Sequence, residues 1–209
     1  MKKNIAVISV RFNSKRLPGK ALKKYKNKNS IDRIFESLRK NKQIDKLIVA
    51  TTTSSIDRKI YEYCKKKKYP CYRGDELNLI KRFYDATKHL NPKILIRVTG
   101  DNPFTSSEIT DYMIKKHLST KADFTYMNKK NLPVGVCPEI ISFKAIKKLL
   151  IQKINFNYSE YVMYYFINNS KFFKVKKINS LTKFKTRIKN LRLTLDYKQD
   201  FYFHKKIVD

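Results

Sequence analysis

Ten residues near the amino terminus have the composition of an anion-binding loop. Residues 11–20 read Arg-Phe-Asn-Ser-Lys-Arg-Leu-Pro-Gly-Lys, with four cations, one hydroxyl and a Pro-Gly turn. Phosphate binding needs fixed positive charges, hydrogen-bond donors and a backbone that turns tightly around the anion. The segment does not match a Walker A motif, which requires Gly-x4-Gly-Lys-Ser/Thr. In a chain this rich in lysine, the alternative is an ordinary basic surface loop.

Two aspartates far apart in the chain, Asp101 and Asp196, each follow a short apolar run that we expect to be a buried strand. Two carboxylates, completed by phosphate oxygens and water, form a suitable site for Mg²⁺. For Asp101 the alternative is a turn or helix-capping residue after Gly100. Arg97 is either an ion pair at the edge of the core or a ligand for a substrate carboxylate, and the sequence leaves both open.

These residues fall within a pattern of alternating strands and helices. Apolar runs predict strands at 5–10, 47–50, 70–72, 94–98, 123–126, 139–142, 172–178 and 193–195, and helical spacing predicts helices at 30–38, 55–68, 77–90, 107–118, 143–152 and 158–168. Such alternation predicts an α/β fold of three layers with a mostly parallel mixed sheet. Ligands of open sheets lie beyond the carboxyl ends of the strands, which is where the loop 11–20, Asp101 and Asp196 should meet.

Length and cysteine usage restrict the class of protein. A chain of 209 residues suits one domain, so we expect a single domain over residues 1–209. Cys64, Cys71 and Cys137 form no CxxC pair, and no apolar stretch approaches the roughly 18 residues of a membrane span. These features predict a cytoplasmic protein without a membrane partner. The three histidines lack ligand spacing, so a zinc site is not expected.

The net charge of +31, from 48 basic and 17 acidic residues, has two interpretations. One is a polyanion partner such as nucleic acid, because Lys and Arg neutralise phosphates. The other is compositional bias, because Lys, Asn, Ile, Tyr and Phe share A/T-rich codons and the lysines occur in nearly every segment. We favour bias over nucleic-acid binding. The basic field would still attract a nucleoside triphosphate and an acidic sugar.

Residues 11–20 also resemble the signature loop of the cytidylyltransferases that activate sugar acids, Arg-x-x-Ser-x-Arg-Leu-Pro-Gly-Lys. That group includes the CMP-sialate and CMP-KDO synthetases and the SpsF-like spore-coat polysaccharide proteins. The resemblance implies the Rossmann-like nucleotide-diphospho-sugar transferase fold. Four further segments resemble segments of SpsF-like proteins and occur in the same order along the chain: residues 44–52, 73–86, 97–103 and 192–200.

The resemblance implies that a substrate oxygen attacks the α-phosphorus of CTP in line, that pyrophosphate leaves, and that the product serves surface-polysaccharide synthesis. No protein nucleophile is needed, so catalysis is mostly positioning and charge neutralisation. By resemblance, Arg11, Arg16 and Lys20 hold the triphosphate and stabilise the leaving pyrophosphate, and Ser14 adds a hydroxyl contact. The metal, Mg²⁺, would be held by Asp101 and Asp196.

The same resemblance places Gly74 and Arg82 in the cytidine pocket, with a solvated helix residue as the alternative for Arg82. It places Glu139 beside the acceptor, together with Arg97. Departures from the SpsF-like pattern, such as Cys137 in place of Asp and Tyr161 in place of His, indicate a different acceptor.

Two alternatives remain: a nucleotidylyltransferase with another nucleotide or a non-sugar acceptor, or a non-enzymatic basic nucleic-acid-binding protein. The resemblance also implies a homodimer, and the sequence leaves open whether a helix follows Asp196.

Overall fold

The computed structural model describes residues 1–128, 132–151, 162–179 and 191–208. Within these ranges seven strands form one sheet: β1 (Lys3–Ser9), β2 (Lys46–Thr52), β3 (Cys71–Gly74), β4 (Pro92–Thr99), β5 (Phe124–Met127), β6 (Glu139–Ser142) and β7 (Val175–Ile178). Their order across the sheet is β3-β2-β1-β4-β6-β5-β7. The pairs formed among β1 to β4 are parallel, β6 runs antiparallel to both β4 and β5, and β5 and β7 are parallel. The mostly parallel mixed sheet predicted from the sequence is confirmed.

Helices occupy most of the connections between strands. The α-helices of the described ranges are α1 (Ser30–Leu38), α2 (Arg58–Lys66), α3 (Leu79–Thr87), α4 (Ser107–Thr120), α5 (Phe143–Ile151), α6 (Val162–Asn168) and α7 (Lys198–Val208). Short 3₁₀ turns cover Lys20–Leu22, Ser55–Asp57 and Lys88–Leu90. Among the described helices, none has the length and apolar character that a bilayer crossing requires.

The sheet is buried on both faces, and β1 shows why. Ile5, Ala6, Val7 and Ile8 are all fully buried. Successive side chains of a strand point to opposite faces. Accordingly, Ala6 and Ile8 belong to the hydrophobic cluster on one face and Ile5 and Val7 to the cluster on the other. The apolar run of β1 therefore fixes it as a central strand of a three-layer structure.

The main error of the sequence prediction is the strand at 193–195. Among the described residues, no strand pairs with 193–195. The preceding residue, Arg192, forms one isolated bridge with Val134. Leu195 is fully buried, but it lies against the loop after β4. Its N–H donates to the carbonyl of Asp101 at 2.7 Å. The segment is thus a buried connection between loops, and α7 follows it directly.

Other boundaries differ by a few residues. The helix predicted at 77–90 begins at Leu79, because the Asn78 side chain accepts the Lys81 N–H and caps it. The helix predicted at 55–68 starts as a 3₁₀ turn before α2. The strand predicted at 172–178 is reduced to β7. For the helix predicted at 158–168, the first residues lie outside the described ranges, and α6 accounts for the rest.

Candidate active site

A cavity of about 780 Å³ opens at the carboxyl ends of β1 and β4. Six cationic side chains and one carboxylate lie on its wall. They are Arg11, Lys15, Arg16, Lys20, Arg82, Arg97 and Asp101. Ser14 also lines it. So strong an excess of positive charge in a concave site concentrates anions.

The loop 11–20 is closed by contacts to Phe12. The Phe12 carbonyl accepts the N–H of Ser14 at 3.0 Å and the N–H of Gly19 at 2.9 Å. Gly19 has φ +68°, and a Cβ there would lie 3.1 Å from the Phe12 ring. A side chain at this position would be strained in conformation and crowded in space. The Pro-Gly turn predicted from the sequence therefore brings Lys20 back beneath the loop, where it starts a 3₁₀ turn.

Lys20 joins the two aspartates that the sequence separates by 95 residues. Its ammonium lies 2.7 Å from Asp101 Oδ2 and 3.0 Å from Asp196 Oδ1. The Lys20 residue is only 9 % exposed. Arg16 contacts the same Asp196 oxygen at 2.7 Å. The structure thus brings Asp101, Asp196, Arg16 and Lys20 into one cluster.

Backbone and side-chain bonds both hold Asp196 in this cluster. The bond from Leu195 N–H to the Asp101 carbonyl ties the two aspartates together through the main chain. Asp200, in the first turn of α7, accepts the Asp196 N–H at 2.8 Å. Arg192 contacts the other Asp196 oxygen at 2.9 Å. Burial alone would raise the pKa of the Asp196 carboxyl, but Lys20, with Arg16 and Arg192, holds that pKa below its ordinary value.

Arg192 and Asp200 received no role from the sequence, although their spacing carries a signal. Both lie four residues from Asp196, on opposite sides of it in the chain. Arg192 supplies a cation to the Asp196 carboxylate, and the Asp200 carboxylate accepts the Asp196 N–H, so one fixes the side chain and the other the main chain.

The carboxylate pair fits a hard divalent cation. A positive charge already lies between Asp101 and Asp196, since the Lys20 ammonium contacts both. Within the described residues, no group of three or more His, Cys, Asp or Glu side chains is arranged to hold a metal. Mg²⁺ typically binds through one or two carboxylates and takes its other ligands from water and substrate phosphates. Asp101 on the cavity wall, with Asp196 behind it on the same ammonium of Lys20, suits that mode.

Arg82 is the most deeply buried charge of the cavity. It is 1 % exposed, and none of its guanidinium nitrogens has a hydrogen-bond partner in the described part of the chain. Burial, and after it the nearby charge of Arg11, lowers the pKa of Arg82 to about 10, so the group stays charged at neutral pH. The interpretation of Arg82 as a solvated helix residue is wrong. Gly74 lies beside its stem, and a Cβ at Gly74 would be 3.1 Å from Arg82 Cγ.

The remaining two residues assigned to the acceptor form an ion pair. Arg97 on β4 and Glu139 on β6 are direct partners in the antiparallel register. The guanidinium of Arg97 contacts Glu139 Oε2 at 2.7 Å, and the arginine also lines the cavity. Cys137 lies nearby with its sulfur 3.8 Å from the sulfur of Met127. Tyr161, the other departure of interest, lies outside the described residues.

The fold and the cavity together define a class of protein. The sheet is open and largely parallel, with a basic loop directly after its central strand and two carboxylates opposite that loop. Basic groups and paired carboxylates at the carboxyl edge of such a sheet are the parts that nucleotide transfer requires. The class is that of α/β nucleotidyltransferases.

Comparisons with known proteins specify the class further. A family model described as cytidylyltransferase matches residues 5–207. The spore coat polysaccharide biosynthesis protein SpsF of Bacillus subtilis is 31 % identical over 93 % of this chain and 82 % of its own. A cytidylyltransferase from Leptospira borgpetersenii superposes with a TM-score of 0.88 at 28 % identity, covering 100 % of this chain and 87 % of that one. The chain belongs to the cytidylyltransferase family.

Two more distant structures share the fold alone. One is a CMP:2-keto-3-deoxy-manno-octonic acid synthetase complexed with CTP, with a TM-score of 0.75, 12 % identity, and coverage of 99 % of this chain and 98 % of that one. The other is a Mycobacterium tuberculosis protein in complex with manganese, with a TM-score of 0.66, 12 % identity, and coverage of 98 % of this chain and 99 % of that one. Both confirm the Rossmann-like nucleotidyltransferase fold.

Proposed function

We propose that this protein transfers CMP from CTP to a sugar acid or a similar acid acceptor, releases pyrophosphate, and supplies precursors of a surface polysaccharide. The observation that carries the proposal is the convergence of Asp101 and Asp196 on the Lys20 ammonium, opposite the loop 11–20. The family supports the reaction, and the SpsF relative supports the polysaccharide route.

In this proposal, the loop 11–20 binds the triphosphate. Arg11, Arg16 and Lys20 neutralise its charge, and the Ser14 hydroxyl adds a donor. These groups are fixed before the substrate arrives, because the turn around Phe12 and the contacts to Asp196 hold them. Charged donors held in place stabilise the negative charge that develops on the leaving pyrophosphate.

At the other end of the cavity, Arg82 binds the nucleotide. A buried guanidinium without a hydrogen-bond partner in the described residues favours a ligand with acceptor atoms. The cytosine ring offers such acceptors in its carbonyl and ring nitrogen. Gly74 contributes indirectly, because a Cβ there would lie 2.5 Å from the Tyr72 ring and would crowd the Arg82 stem beside it.

Asp101 and Asp196 would hold Mg²⁺. When bound, Mg²⁺ would supply a Lewis acid that neutralises phosphate oxygens and orients the triphosphate. The manganese-bound structure of the same fold supports a divalent metal in proteins of this shape. Lys20, whose ammonium contacts both carboxylates, would neutralise phosphate charge from the same place.

The acceptor binds beside Arg97 and Glu139. The Arg97 guanidinium would attract a carboxylate of the acceptor, and Glu139 fixes the orientation of Arg97 through their ion pair. Cys137, in place of an aspartate, removes one negative charge from this side and favours an acceptor different from that of SpsF. We also keep the predictions of a cytoplasmic location and a homodimer, which rest on cysteine usage and on resemblance.

The test is pyrophosphate release from each of the four nucleoside triphosphates, with Mg²⁺ and a panel of acceptor acids. We expect release with CTP and an acid acceptor, and its loss when EDTA is added. Asp101→Ala should abolish release while thermal unfolding stays cooperative. Asp85→Ala is the control, because Asp85 on α3 pairs with the exposed ammonium groups of Lys81 and Lys88 and does not line the cavity. Equal rates for Asp101→Ala and wild type would refute the assignment of the site.

A further inference from the structure

Asp57 is a buried carboxylate that the proposed chemistry does not use. It is 2 % exposed and ends the 3₁₀ turn Ser55–Asp57, at the N-cap position of α2. An aspartate at this position usually accepts an N–H of its own helix. Asp57 makes no such bond. Its Oδ1 instead accepts the backbone N–H of Phe12 at 2.7 Å, and its Oδ2 accepts the hydroxyl of Thr52.

Phe12 is the residue on which the loop 11–20 closes. Its carbonyl accepts the N–H groups of Ser14 and Gly19, and its ring packs against Gly19. Fixing the Phe12 N–H therefore fixes both sides of the turn. Arg11 and Ser14, which flank Phe12 and line the cavity, are placed by the same contact.

Thr52 connects this anchor to the sheet. It is the last residue of β2 and is buried. Its hydroxyl oxygen also accepts the N–H of Ser54 at 3.2 Å, which leaves its proton directed at Asp57. An unbroken chain of hydrogen bonds thus runs from β2 through Thr52 and Asp57 to the main chain of Phe12.

We propose that Asp57 is a positioning residue, which holds the triphosphate-binding loop in its binding conformation by anchoring the N–H of Phe12 to the end of β2. The inference rests on the proposed function, in which that loop binds the triphosphate of CTP. Asp57 touches no substrate. It acts on the loop through the Phe12 N–H.

A second effect of Asp57 has to be separated from this one. Burial and the charge of Arg11 lower the pKa of Arg82, and Asp57 is first among the acidic groups that oppose them. Asp57 therefore also lies close enough to act as a counter-charge. The two effects differ in what they require, since anchoring needs an acceptor atom at one position and the counter-charge needs only a negative charge.

The first experiment measures the affinity of inorganic triphosphate and of CTP by calorimetry. Asp57→Ala should weaken both about tenfold, because one charge-assisted hydrogen bond to the loop is lost. Asp57→Asn keeps an acceptor for Phe12 and should stay within about threefold of wild type. Asp57→Glu keeps the charge but displaces the oxygens, and should bind as weakly as Asp57→Ala. The opposite order, with Glu better than Asn, would overturn the proposal in favour of a counter-charge.

Asp32→Ala is the matched control. Asp32 is also 2 % exposed and also accepts several hydrogen bonds, from the Asn29 N–H and the hydroxyls of Tyr63 and Tyr69. It lies at the start of α1 and does not line the cavity. We expect Asp32→Ala to lower the unfolding temperature without changing triphosphate affinity. An equal loss of affinity in both alanine variants would show general destabilisation and contradict the proposal.

The second experiment does not depend on activity. Hydrogen exchange of peptides covering residues 11–20 should be faster in Asp57→Ala than in wild type, and unchanged in Asp57→Asn. Slow exchange in Asp57→Ala would refute the anchor, even if CTP binding fell. Failure of wild type to release pyrophosphate from CTP would refute the proposed reaction, whereas the exchange result would still decide the role of Asp57.

Discussion

The two ends of the cavity hold buried positive charge in different ways. At one end, the ammonium of Lys20 contacts Asp101 and Asp196, and we call these three residues the paired end. At the other end, the guanidinium of Arg82 has no hydrogen-bond partner in the described residues, and we call it the unpaired end. Both cations are almost inaccessible to solvent, so the difference lies in their partners and not in their burial.

This difference shows what each end does before a ligand arrives. The paired end needs no ligand, because the attraction between the ammonium and the two carboxylates offsets the free energy that these charges lose on leaving water. In the proposed function, these contacts hold Lys20 in place for the phosphates. The unpaired end destabilises the folded protein, because a buried charge without hydrogen bonds is unfavourable. A ligand with acceptor atoms would remove that cost, so we expect the unpaired end to supply binding energy and the paired end to supply geometry.

The largest expected effect concerns the paired end. Lys20→Met should lower kcat/KM about 100- to 1,000-fold, because a charged donor aimed at the phosphates is lost. It should also lower the unfolding temperature, since Asp101 and Asp196 would face each other without the ammonium. Steady-state kinetics and thermal unfolding measure both. Lys88→Met is the control, because the Lys88 ammonium pairs with Asp85 at the surface. Activity within a few-fold of wild type would remove Lys20 from the reaction.

At the unpaired end, Arg82→Met should change binding and stability in opposite directions. The KM for CTP should rise at least about tenfold, because hydrogen bonds from a charged donor are lost. The free energy of unfolding without ligand should rise by about 1–3 kcal/mol, because the unpaired charge is gone and the stem is kept. Urea unfolding with and without CTP tests both changes. The surface variant Arg58→Met should alter neither. A less stable Arg82→Met protein would mean that the guanidinium is paired in solution.

Gly135→Ala tests whether the backbone sets the geometry of the paired end. Gly135 has φ +102°, and a Cβ there would lie 2.9 Å from backbone atoms of both Leu193 and Thr194. The substitution should therefore push the segment that carries Asp196 away from Asp101. We expect kcat to fall about tenfold, since small displacements of positioned groups are costly. The KM for CTP should change less than kcat, because Arg82 is untouched. A raised KM with normal kcat would show that the two ends are not independent.

The fold was predictable from the sequence where apolar residues are continuous. The prediction failed where residues are buried for another reason. Residues 5–8 are uniformly apolar because β1 is covered on both faces. Residues 193–195, Leu-Thr-Leu, also predicted a buried strand, yet this segment is buried between loops. An apolar run reports burial, and it does not report which elements cover it. This is why the prediction of the last strand was wrong. It is also why α7, with seven of its residues exposed, stayed undecided from the sequence.

The candidate site was predictable in the same uneven way. The loop 11–20 and the two aspartates stand out because their residue types and their positions after strands carry the signal. Asp57 and Asp200 do not stand out. Each acts by accepting backbone N–H groups, a contact that any turn aspartate makes and that leaves no periodic pattern. The burial of Arg82 was also hidden, because helical spacing alone does not show whether a basic residue faces a cavity or water.

His204 provides the last test, because it is a buried polar group without a partner that lies outside the cavity. Its ring packs against Phe104 and Tyr25, and neither ring nitrogen has a hydrogen-bond partner in the described residues. Burial lowers the pKa of His204 from 6.5 to about 4. The native ring therefore resists protonation, whereas the ring of the unfolded chain accepts a proton more readily. The stability that results is complete above pH 6.5 and is lost as the pH falls toward about 4.

His204→Phe should accordingly reduce the loss of stability between pH 7 and pH 4.5, and it should do so without any change in the KM for CTP. Phenylalanine fits because the neighbouring groups are already aromatic, and it removes the unpaired nitrogens as well as the proton. Urea unfolding at the two pH values, compared with wild type, measures the first effect. A raised KM for CTP would mean that α7 and the cavity are coupled. An unchanged KM would mean that an unpaired buried group contributes to binding only where a cavity gives a ligand access to it, as it does at Arg82.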